Sequence, residues 1–441
     1  MAVWRAPGGR LGGVLVLAGL LRLGWVLLVP NAQYSDSVWY SAAAWNLVAH
    51  GFYGVNAPSA WLPPGYPFFL VAIYAVAGHS ELAGKLGNVA LGVMLSGCTY
   101  LLARRFLGEA VALVSATLVA VWPNLIFSTG ILFSDVLAAC GFVATLWLGL
   151  RRRLGWPSLI GLGLLGGWMV LVRPVSIILF AALGLWWLLE TRSLRRTAAY
   201  LAPAVLIAGL LVGAWSVRNA RQFGQPILIA TNGGYNFWQT NHRFADGNDT
   251  YWPSVPMDDP EYQTMYYGDE FTKNSAGYRY ALAYLQAHPQ HLLTMFPIKL
   301  FWLYHTDTSG FYEGVFYAPM DGPSPLAAWI DAHQTIVEQA TFRYYAALMA
   351  LAGLGVGLLL VLGHGRAAWL WALLLLPLLL SLFHLFFHAK DRFHMPLDGI
   401  IAIFAATALV EAARLSLRVG RQRLPRGWPR PVLTQVAERR P

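Results

Sequence analysis

The chain has 441 residues, of which 57% are hydrophobic and only 12% are charged, whereas about 25% of the residues of a typical soluble domain are charged. A soluble core of this length could not bury so much apolar surface, so the composition excludes a water-soluble enzyme as well as a disordered chain. Two cysteines, Cys98 and Cys140, exclude a disulfide scaffold, a zinc–cysteine site and an iron–sulfur centre. The composition therefore indicates a polytopic membrane protein.

Ten apolar runs have the length to cross a membrane as helices, several with Trp, Tyr and Arg at their ends as interfacial anchors. In chain order they cover 11–30, 82–103, 107–127, 130–150, 156–172, 174–190, 198–216, 342–362, 367–387 and 395–413. The first run lacks a small-residue cleavage site, which predicts a retained helix. A shorter run, 66–78, is expected to lie in the interface or to re-enter. The predicted fold class is all-α and polytopic, with about ten transmembrane helices.

Positive charge is sorted along the chain in a way that predicts its orientation. With the N-terminus in the cytoplasm, the inner loops and the C-terminal tail hold 19 of the 31 basic residues and four of the 21 acids, as the positive-inside rule requires. The predicted parts are a membrane module (1–216) with a first outer loop (31–81), an outer loop domain of mixed structure (217–340), C-terminal membrane helices (341–413) and a basic cytoplasmic tail (414–441). We expect a multi-pass protein of the plasma (inner) membrane, and the sorted charge argues against a nucleic-acid partner.

Three acids at outer helix ends are the candidate catalytic residues. Asp36 follows the first helix among aromatic residues and is either the N-cap of a helix over 36–49 or a general base. Glu81 is one helical turn from Lys85, and the two form either a surface pair or part of a cavity at the membrane edge. Asp135 is either a first-turn acid favoured by the helix dipole or a cavity group. All three lie on the predicted outer side, where we therefore expect the chemistry.

Several cations on the same side are candidate ligands for an anion. Arg173 and Arg218 run against the positive-inside trend, and Lys299 is a lone cation in an apolar, aromatic helix end. Lys390 and Arg392 belong to a dense polar cluster between the last two spans. This cluster is either a solvated loop with snorkelling cations or a phosphate clamp, in which the arginine can bind two oxygens at once.

The segment 230–241 combines amides, glycines and aromatic rings. Amides bond to sugar hydroxyls and flat rings cover the C–H faces of a sugar, so Asn232, Tyr235, Asn236 and Trp238 are candidate sugar or acceptor ligands. An ordinary Asn-Gly-Gly turn explains part of the same pattern. Tyr66, in the Pro-rich turn of the first outer loop, is a further candidate.

The order of these motifs resembles a known family. An Asp after helix one, a Pro-Pro-Gly-Tyr-Pro turn and Ser-Glu-Leu-Ala are followed by Ser-Asp, Arg-Pro, Trp-Ser-Val-Arg-Asn, Thr-Asn-Gly-Gly-Tyr-Asn-Phe-Trp and Asp-Arg-Phe-His-Met-Pro-Leu. From about residue 22 to 409 the chain is similar to the GT-C superfamily of glycosyltransferases. Within it, the chain looks like the bacterial branch related to protein O-mannosyltransferases and the lipid A aminoarabinose transferase.

The resemblance implies roles for individual residues. Asp36 matches the essential acid of the first outer loop, Glu81 and Lys85 match a glutamate and a cation of the next span, and Asp135 matches the acid of the second short outer loop. Arg392 falls on the closing basic motif, near the donor phosphate. The closing motif is Arg392-Phe393-His394, where the family commonly shows an Arg-Tyr pair.

The resemblance also implies a function. We expect an inverting transfer of a sugar from a polyprenyl-phosphate donor to a lipid, glycan or protein acceptor at the extracytoplasmic face. No cofactor is expected and no metal ligand is assigned, although the sequence leaves a divalent metal open. A ligase for a preassembled glycan is a second enzymatic possibility. The alternative from another class is a transporter or lipid flippase, which only Arg22, about midway along the first helix, favours.

Overall fold

The computed structural model describes residues 7–249, 254–317 and 324–423, and over these ranges the chain forms helices and turns without a β-strand. The predicted all-α, polytopic class is confirmed. The predicted basic tail is described only as far as Arg423, as the end of the last helix. Arg5 and the basic residues beyond Arg423 lie outside the described ranges.

Helices α1 to α10 cover the segment predicted as the N-terminal membrane module, and α10 continues beyond its predicted end at residue 216. They are α1 (Pro7–Leu28), α2 (Asp36–His50), α3 (Gly65–Ala77), α4 (Glu81–Leu107), α5 (Glu109–Ala120), α6 (Pro123–Phe127), α7 (Asp135–Gly149), α8 (Trp156–Val172), α9 (Ile178–Thr191) and α10 (Leu194–Phe223). Serine side chains cap the starts of α4 and α10, where Ser80 and Ser193 accept bonds from backbone N–H groups. Gly108, with φ 84°, separates α4 from α5 in a backbone conformation that favours glycine.

The segment predicted as the outer loop domain, called the outer domain below, contains shorter helices. They are α11 (Gly233–Trp238), α12 (Pro260–Tyr267), α13 (Glu270–Ala287), α14 (His291–Tyr304), α15 (Ser309–Phe311) and α16 (Pro325–Ala332). A π-helical turn, Tyr312–Phe316, continues α15. The helices α17 (Gln334–Val361), α18 (Ala368–His384) and α19 (Asp398–Arg423) follow. Residues 388–397, between α18 and α19, are called the closing segment below.

The number of membrane spans differs from the prediction. Six helices are long and apolar enough to cross a membrane: Gly9–Leu28, Glu81–Leu107, Pro174–Thr191, Leu194–Phe223, Gln334–Val361 and Asp391–Arg418. A seventh results if α5 and the stretch Pro123–Gly130, bent by 57°, form one span. Three predicted spans are shorter helices of 15 to 17 residues, namely α7, α8 and α18. The described residues thus form a multi-pass membrane protein, but the count of ten is not confirmed.

Arg22 is fully buried and ties α1 to the break between α5 and α6. Pro123 has no N–H group to donate to the carbonyl of Val119, and α5 ends at Ala120. Arg22 donates instead, to the Val119 carbonyl at 3.0 Å and to the Ala120 carbonyl at 2.9 Å. This cation completes a helix end, so the one residue that favoured a transport path has a structural explanation.

Glu270, at the start of α13, connects the outer domain to the first outer loop. Its carboxylate accepts hydrogen bonds from the Ser59 hydroxyl (3.1 Å), the Ala60 N–H (3.1 Å) and the Thr231 hydroxyl (2.6 Å). The Thr231 N–H in turn donates to the Ala60 carbonyl at 2.8 Å. These bonds hold the start of the 230–241 segment against the membrane module.

Candidate active site

A cavity of about 920 Å³ lies between the first outer loop, the outer domain and the closing segment. Its volume falls within the range of small-molecule sites, about 300–1,000 Å³. Aromatic rings and charged side chains share its wall. The charged residues in the wall are Asp36, Arg173, Asp249, Lys273, Glu313, Lys390 and Arg392.

Asp36 is the first residue of α2 and faces this cavity. The N-cap position belongs to Ser35, whose φ of 51° is unusual for a residue other than glycine, and its side chain makes no capping bond. None of the described residues donates a hydrogen bond to the Asp36 carboxylate. Burial raises the pKa of Asp36. The positive charges of Arg392 and Lys390 oppose that rise, whereas the negative charges of Asp249 and Asp135 add to it. Asp36 is therefore not engaged in capping and is available to accept a proton.

Two arginines are fixed in the cavity wall by one buried acid. Asp135 is paired with Arg173, and its other oxygen lies 3.1 Å from Nη2 of Arg392. Arg392 Nη1 is 3.6 Å from Glu313, and the guanidinium lies 4.3 Å from the centre of the Phe133 ring. Each guanidinium has five N–H donors, so donors remain for a ligand oxyanion. Asp135 acts here as an anchor for cations, because both of its oxygens are engaged.

A second cluster lines the same wall. Asp249 forms an ion pair with Lys390, and its Oδ1 atom lies 2.9 Å from Nε2 of His388. Burial alone would raise the pKa of Asp249, but His388 and Lys390 outweigh it and hold that pKa well below its ordinary value. Asp249 is thus a persistent negative charge that positions Lys390 near Asp36.

Four predicted site residues lie away from the cavity wall. Glu81 is exposed at the start of α4. Lys85 donates to the Asn31 carbonyl at 2.6 Å, and Arg218 donates to the Ser59 carbonyl at 3.3 Å while stacking on Trp215.

Lys299 is buried and donates to the Leu385 carbonyl at 2.9 Å. Burial lowers the pKa of Lys299 to about 7. The structure does not bring these groups to the other candidates.

The predicted sugar ligands are divided between the wall and the layer behind it. Asn232, Tyr235 and Asn236 line the cavity at α11. Trp238 is fully buried and donates to Glu261 at 2.5 Å. Tyr66 is also fully buried; its hydroxyl donates to Asn88 at 3.0 Å. The last two support the wall and do not line it.

The sequence did not single out three charged residues of the wall. Lys273 comes from α13 and lies 5.9 Å from the centre of the Trp61 ring, across from the first outer loop. Glu313 lies in the π-helical turn after α15, within an aromatic stretch that carries no recognisable motif. Asp249 follows the Asp-Gly-Asn sequence at 246–248. This sequence predicts a turn but does not indicate which side chains Asp249 contacts. All three depend on contacts between distant parts of the chain.

The three acids of the wall, Asp36, Asp249 and Glu313, and the neighbouring Asp135 differ in their capacity to hold a metal ion. Asp135, Asp249 and Glu313 each face basic side chains, which compete with a cation for the carboxylate oxygens. Asp36 alone among the four has no such direct ion pair within the described residues. The donor set of the cavity therefore fits an anion bound by cations better than a metal held by several carboxylates.

Comparisons with known proteins address the fold. Residues 62–215 match the family model described as dolichyl-phosphate-mannose-protein mannosyltransferase. No curated protein sequence matches the chain. Among solved structures, the Archaeoglobus fulgidus oligosaccharyltransferase AglB, in complex with an inhibitory peptide and a dolichol-phosphate, is 14% identical with a TM-score of 0.52. That match covers 97% of this chain and 53% of AglB.

Two further structures are similar. The A. fulgidus oligosaccharyltransferase in complex with Zn and sulfate is 15% identical, with a TM-score of 0.55, and the match covers 92% of this chain and 50% of that one. ArnT from Cupriavidus metallidurans, bound to undecaprenyl phosphate, is 16% identical with a TM-score of 0.46, over 95% of this chain and 82% of that one. This chain spans about half the length of the oligosaccharyltransferase chains that it matches.

The oligosaccharyltransferase matches and the family model together confirm the predicted resemblance. The chain has the predicted GT-C fold, which it shares with these oligosaccharyltransferase chains. The cavity defined by Asp36 and the two anchored arginines lies in this architecture, and the membrane face on which it opens stays a prediction of the sequence.

Proposed function

We propose that the protein is a glycosyltransferase that moves a sugar from a polyprenyl-phosphate donor to an acceptor hydroxyl, at the extracytoplasmic face of the plasma membrane. One observation carries the proposal. Asp36, a carboxylate that has no ion-pair partner among the described residues, shares a 920 Å³ cavity with two arginines, Arg173 and Arg392, that a single buried acid holds in place. The dolichol-phosphate bound to AglB supports a lipid phosphate as the donor group.

The proposal puts the donor phosphate at the cationic side of the cavity. Arg392 and Arg173 retain N–H donors for the phosphate oxygens, and Lys390 adds a cation on the same wall. When the bond between C1 of the sugar and the phosphate oxygen breaks, negative charge develops on the leaving phosphate. Cations already fixed by Asp135 and Asp249 stabilise that charge without rearranging, which lowers the barrier in a cavity partly shielded from water.

Asp36 supplies the complementary step. The acceptor hydroxyl attacks C1 from the face opposite the phosphate and its proton passes to the Asp36 carboxylate, so that the configuration at C1 is inverted. A carboxyl group with a raised pKa is a stronger base than an ordinary one once it is deprotonated. Asn232 and Asn236, with the Tyr235 and Trp61 rings, form the side of the cavity on which a sugar or acceptor would lie.

The test uses the purified protein in detergent with a panel of polyprenyl-phosphate sugars that differ in the sugar alone. Release of polyprenyl phosphate, together with transfer of the sugar to a hydroxyl acceptor or to water, is the expected result for at least one donor. The anomeric configuration of the product reports inversion or retention. Binding of the donors without any release, in the presence of lipid, glycan and peptide acceptors, would contradict the proposal and would favour a carrier.

A further inference from the structure

A second group of ionisable side chains lies in the interior, outside the lining of the cavity. Asp307, His394 and Asp398 all have fully buried side chains. His394 Nε2 is 3.6 Å from Oδ1 of Asp307 and 3.7 Å from Oδ1 of Asp398. The three atoms lie within 4.8 Å of one another, and within the described ranges this is the one such group of three His, Cys, Asp or Glu side chains.

The hydrogen bond on the far side of the imidazole determines which atoms face the centre of this group. His394 Nδ1 lies 2.6 Å from the Leu303 carbonyl, which can only accept, so Nδ1 carries a proton. In the neutral ring, Nε2 then presents a lone pair to the two carboxylates. Neither Nε2 nor either oxygen of Asp398 has a hydrogen-bond partner in the described part of the chain. Three buried electron-pair donors that face one another are unfavourable unless a positive charge lies among them.

The outer contacts of the group resemble those of metal ligands. Asp307 is held by the Trp122 indole N–H, at 2.6 Å from Oδ2, and by the Asn124 side-chain amide. Such bonds fix the direction of a carboxylate ligand, and a bond from Nδ1–H to a backbone carbonyl does the same for a histidine ligand. The orientation of two of the three side chains is therefore determined by their surroundings.

We propose that Asp307, His394 and Asp398 bind a divalent cation of the zinc class. Imidazole nitrogens and carboxylate oxygens are both ligands that ions of this class take. Bonds of about 2.0–2.2 Å place tetrahedral ligand atoms about 3.3–3.6 Å apart, close to the 3.6 and 3.7 Å seen here. The two negative charges balance the cation, and the second oxygen of Asp398 can occupy the fourth position.

The position of the cation suggests a structural role. Asp307 immediately precedes the stretch that leads into α15 and Glu313, whereas His394 belongs to the closing segment that carries Arg392. Asp391 already joins the two stretches, because its carboxylate accepts the N–H groups of Thr308 (2.8 Å) and Ser309 (2.9 Å). A bound cation would add a second connection between the two stretches and keep Arg392 next to Glu313.

The test measures metal in the full-length protein, purified in detergent without chelator, by inductively coupled plasma mass spectrometry. We expect about one equivalent per chain in the wild type and background levels in Asp398→Asn and His394→Gln. Asp36→Asn and Glu313→Gln are the matched controls, since these acids line the outer cavity, and both should keep the metal. Protein stripped by chelator and reloaded with Co²⁺ should show visible absorption bands of a low-symmetry site.

Two results would overturn the inference. If the metal disappears in Asp36→Asn and Glu313→Gln but stays in Asp398→Asn, the cation belongs to the outer cavity. If the wild type holds no metal, even after dialysis against Zn²⁺, and Zn²⁺ does not raise the melting temperature of stripped protein, the three side chains share a proton. The wild-type measurements decide the question even if the variants fail to fold.

Discussion

Asp36 is the residue on which the proposed chemistry depends most directly. Asp36→Asn keeps the shape of the side chain but cannot accept a proton, so transfer should fall by about 10²- to 10⁴-fold. Because the Asp36 side chain accepts no hydrogen bond from the described residues, the substitution should leave the melting temperature nearly unchanged. Donor binding should stay the same or tighten, since a negative neighbour of the phosphate is lost. Transfer assays, donor binding and melting curves on the same preparation check the three expectations.

The matched control is Asp258→Asn, an exposed acid of the outer domain that does not line the cavity. Its transfer rate should equal that of the wild type. Full activity in Asp36→Asn would show that another group accepts the proton. The remaining wall acids would then be the candidates, foremost Glu313, whose ion pair with Arg392 is long at 3.6 Å.

The pH dependence of transfer should report the same carboxyl group. Burial raises the pKa of Asp36 above its ordinary value, which is about 3.9. A base works only when deprotonated, so kcat/KM should rise with pH through this raised pKa and then level off. The residual activity of Asp36→Asn should lack that acidic limb. A wild-type profile that is flat from pH 4 to pH 7 would contradict the assignment.

Arg392 should determine the affinity for the donor phosphate. Arg392→Ala removes charge-assisted bonds, each worth about 1.5–3 kcal/mol, and should weaken binding of polyprenyl phosphate by about 10- to 100-fold. The affinity of Arg392→Lys for polyprenyl phosphate should lie between those of the wild type and Arg392→Ala, because a lysine keeps the charge but cannot bind two oxygens in the planar geometry of arginine. Arg243→Ala, which removes an arginine that is 63% exposed and outside the wall, is the control. Unchanged phosphate affinity in Arg392→Ala would show that the closing segment is an ordinary loop that does not bind the donor phosphate.

At the scale of secondary structure elements, Arg22 joins α1 to the interrupted pair α5 and α6. Arg22→Met should leave the Val119 and Ala120 carbonyls without their donor, at a cost of about 1–3 kcal/mol per buried acceptor. We expect a lower melting temperature and a smaller folded yield, with transfer per folded molecule unchanged. Arg343→Met, an exposed arginine on α17, is the control. Loss of activity at full stability would instead place Arg22 on a substrate path.

The helices were largely predictable from the sequence, but their lengths and the site contacts were not. Apolar runs predict α4, α10 and α17. A run of about twenty apolar residues can cross a membrane as a helix, which satisfies its backbone hydrogen bonds internally. The same runs do not reveal that α7 is only 15 residues long, since the turn before it, at 131–133, is also apolar. Lys85 and Lys299 were plausible phosphate ligands by position. Both donate to backbone carbonyls of distant segments, and no local pattern encodes such contacts.

Asp36, Asp135 and Arg392 were predicted as site residues, and the structure brings them together from three distant parts of the chain. Asp135 and Arg392 are 257 positions apart, yet form an ion pair at the cavity wall. The resemblance to a family supplied that grouping, whereas the role of Asp135 as an anchor needed the geometry. Glu313 and Asp249 could not be identified in advance because their partners lie in other elements.

At the scale of the whole molecule, the proposed reaction requires that the cavity face the outside. Charge sorting predicts that the loop between α7 and α8 is cytoplasmic and that the outer domain is not. A cysteine at Asp258 should therefore react with an impermeant thiol reagent in intact cells. A cysteine at Arg152 should react only after permeabilisation. Cys98→Ala and Cys140→Ala provide the background without native thiols.

The two positions are matched in accessibility, so only the membrane distinguishes them. Asp258 is exposed, and the Arg152 side chain is 81% exposed although it pairs with Glu190 at 2.6 Å. Equal labelling of both in permeabilised cells is the internal control. If Arg152→Cys were labelled in intact cells and Asp258→Cys were protected, Asp36 and Arg392 would face the cytoplasm. A lipid-linked donor presented on the outer leaflet could then not reach the arginines, and the proposed extracytoplasmic reaction would be wrong even if the residues act as described.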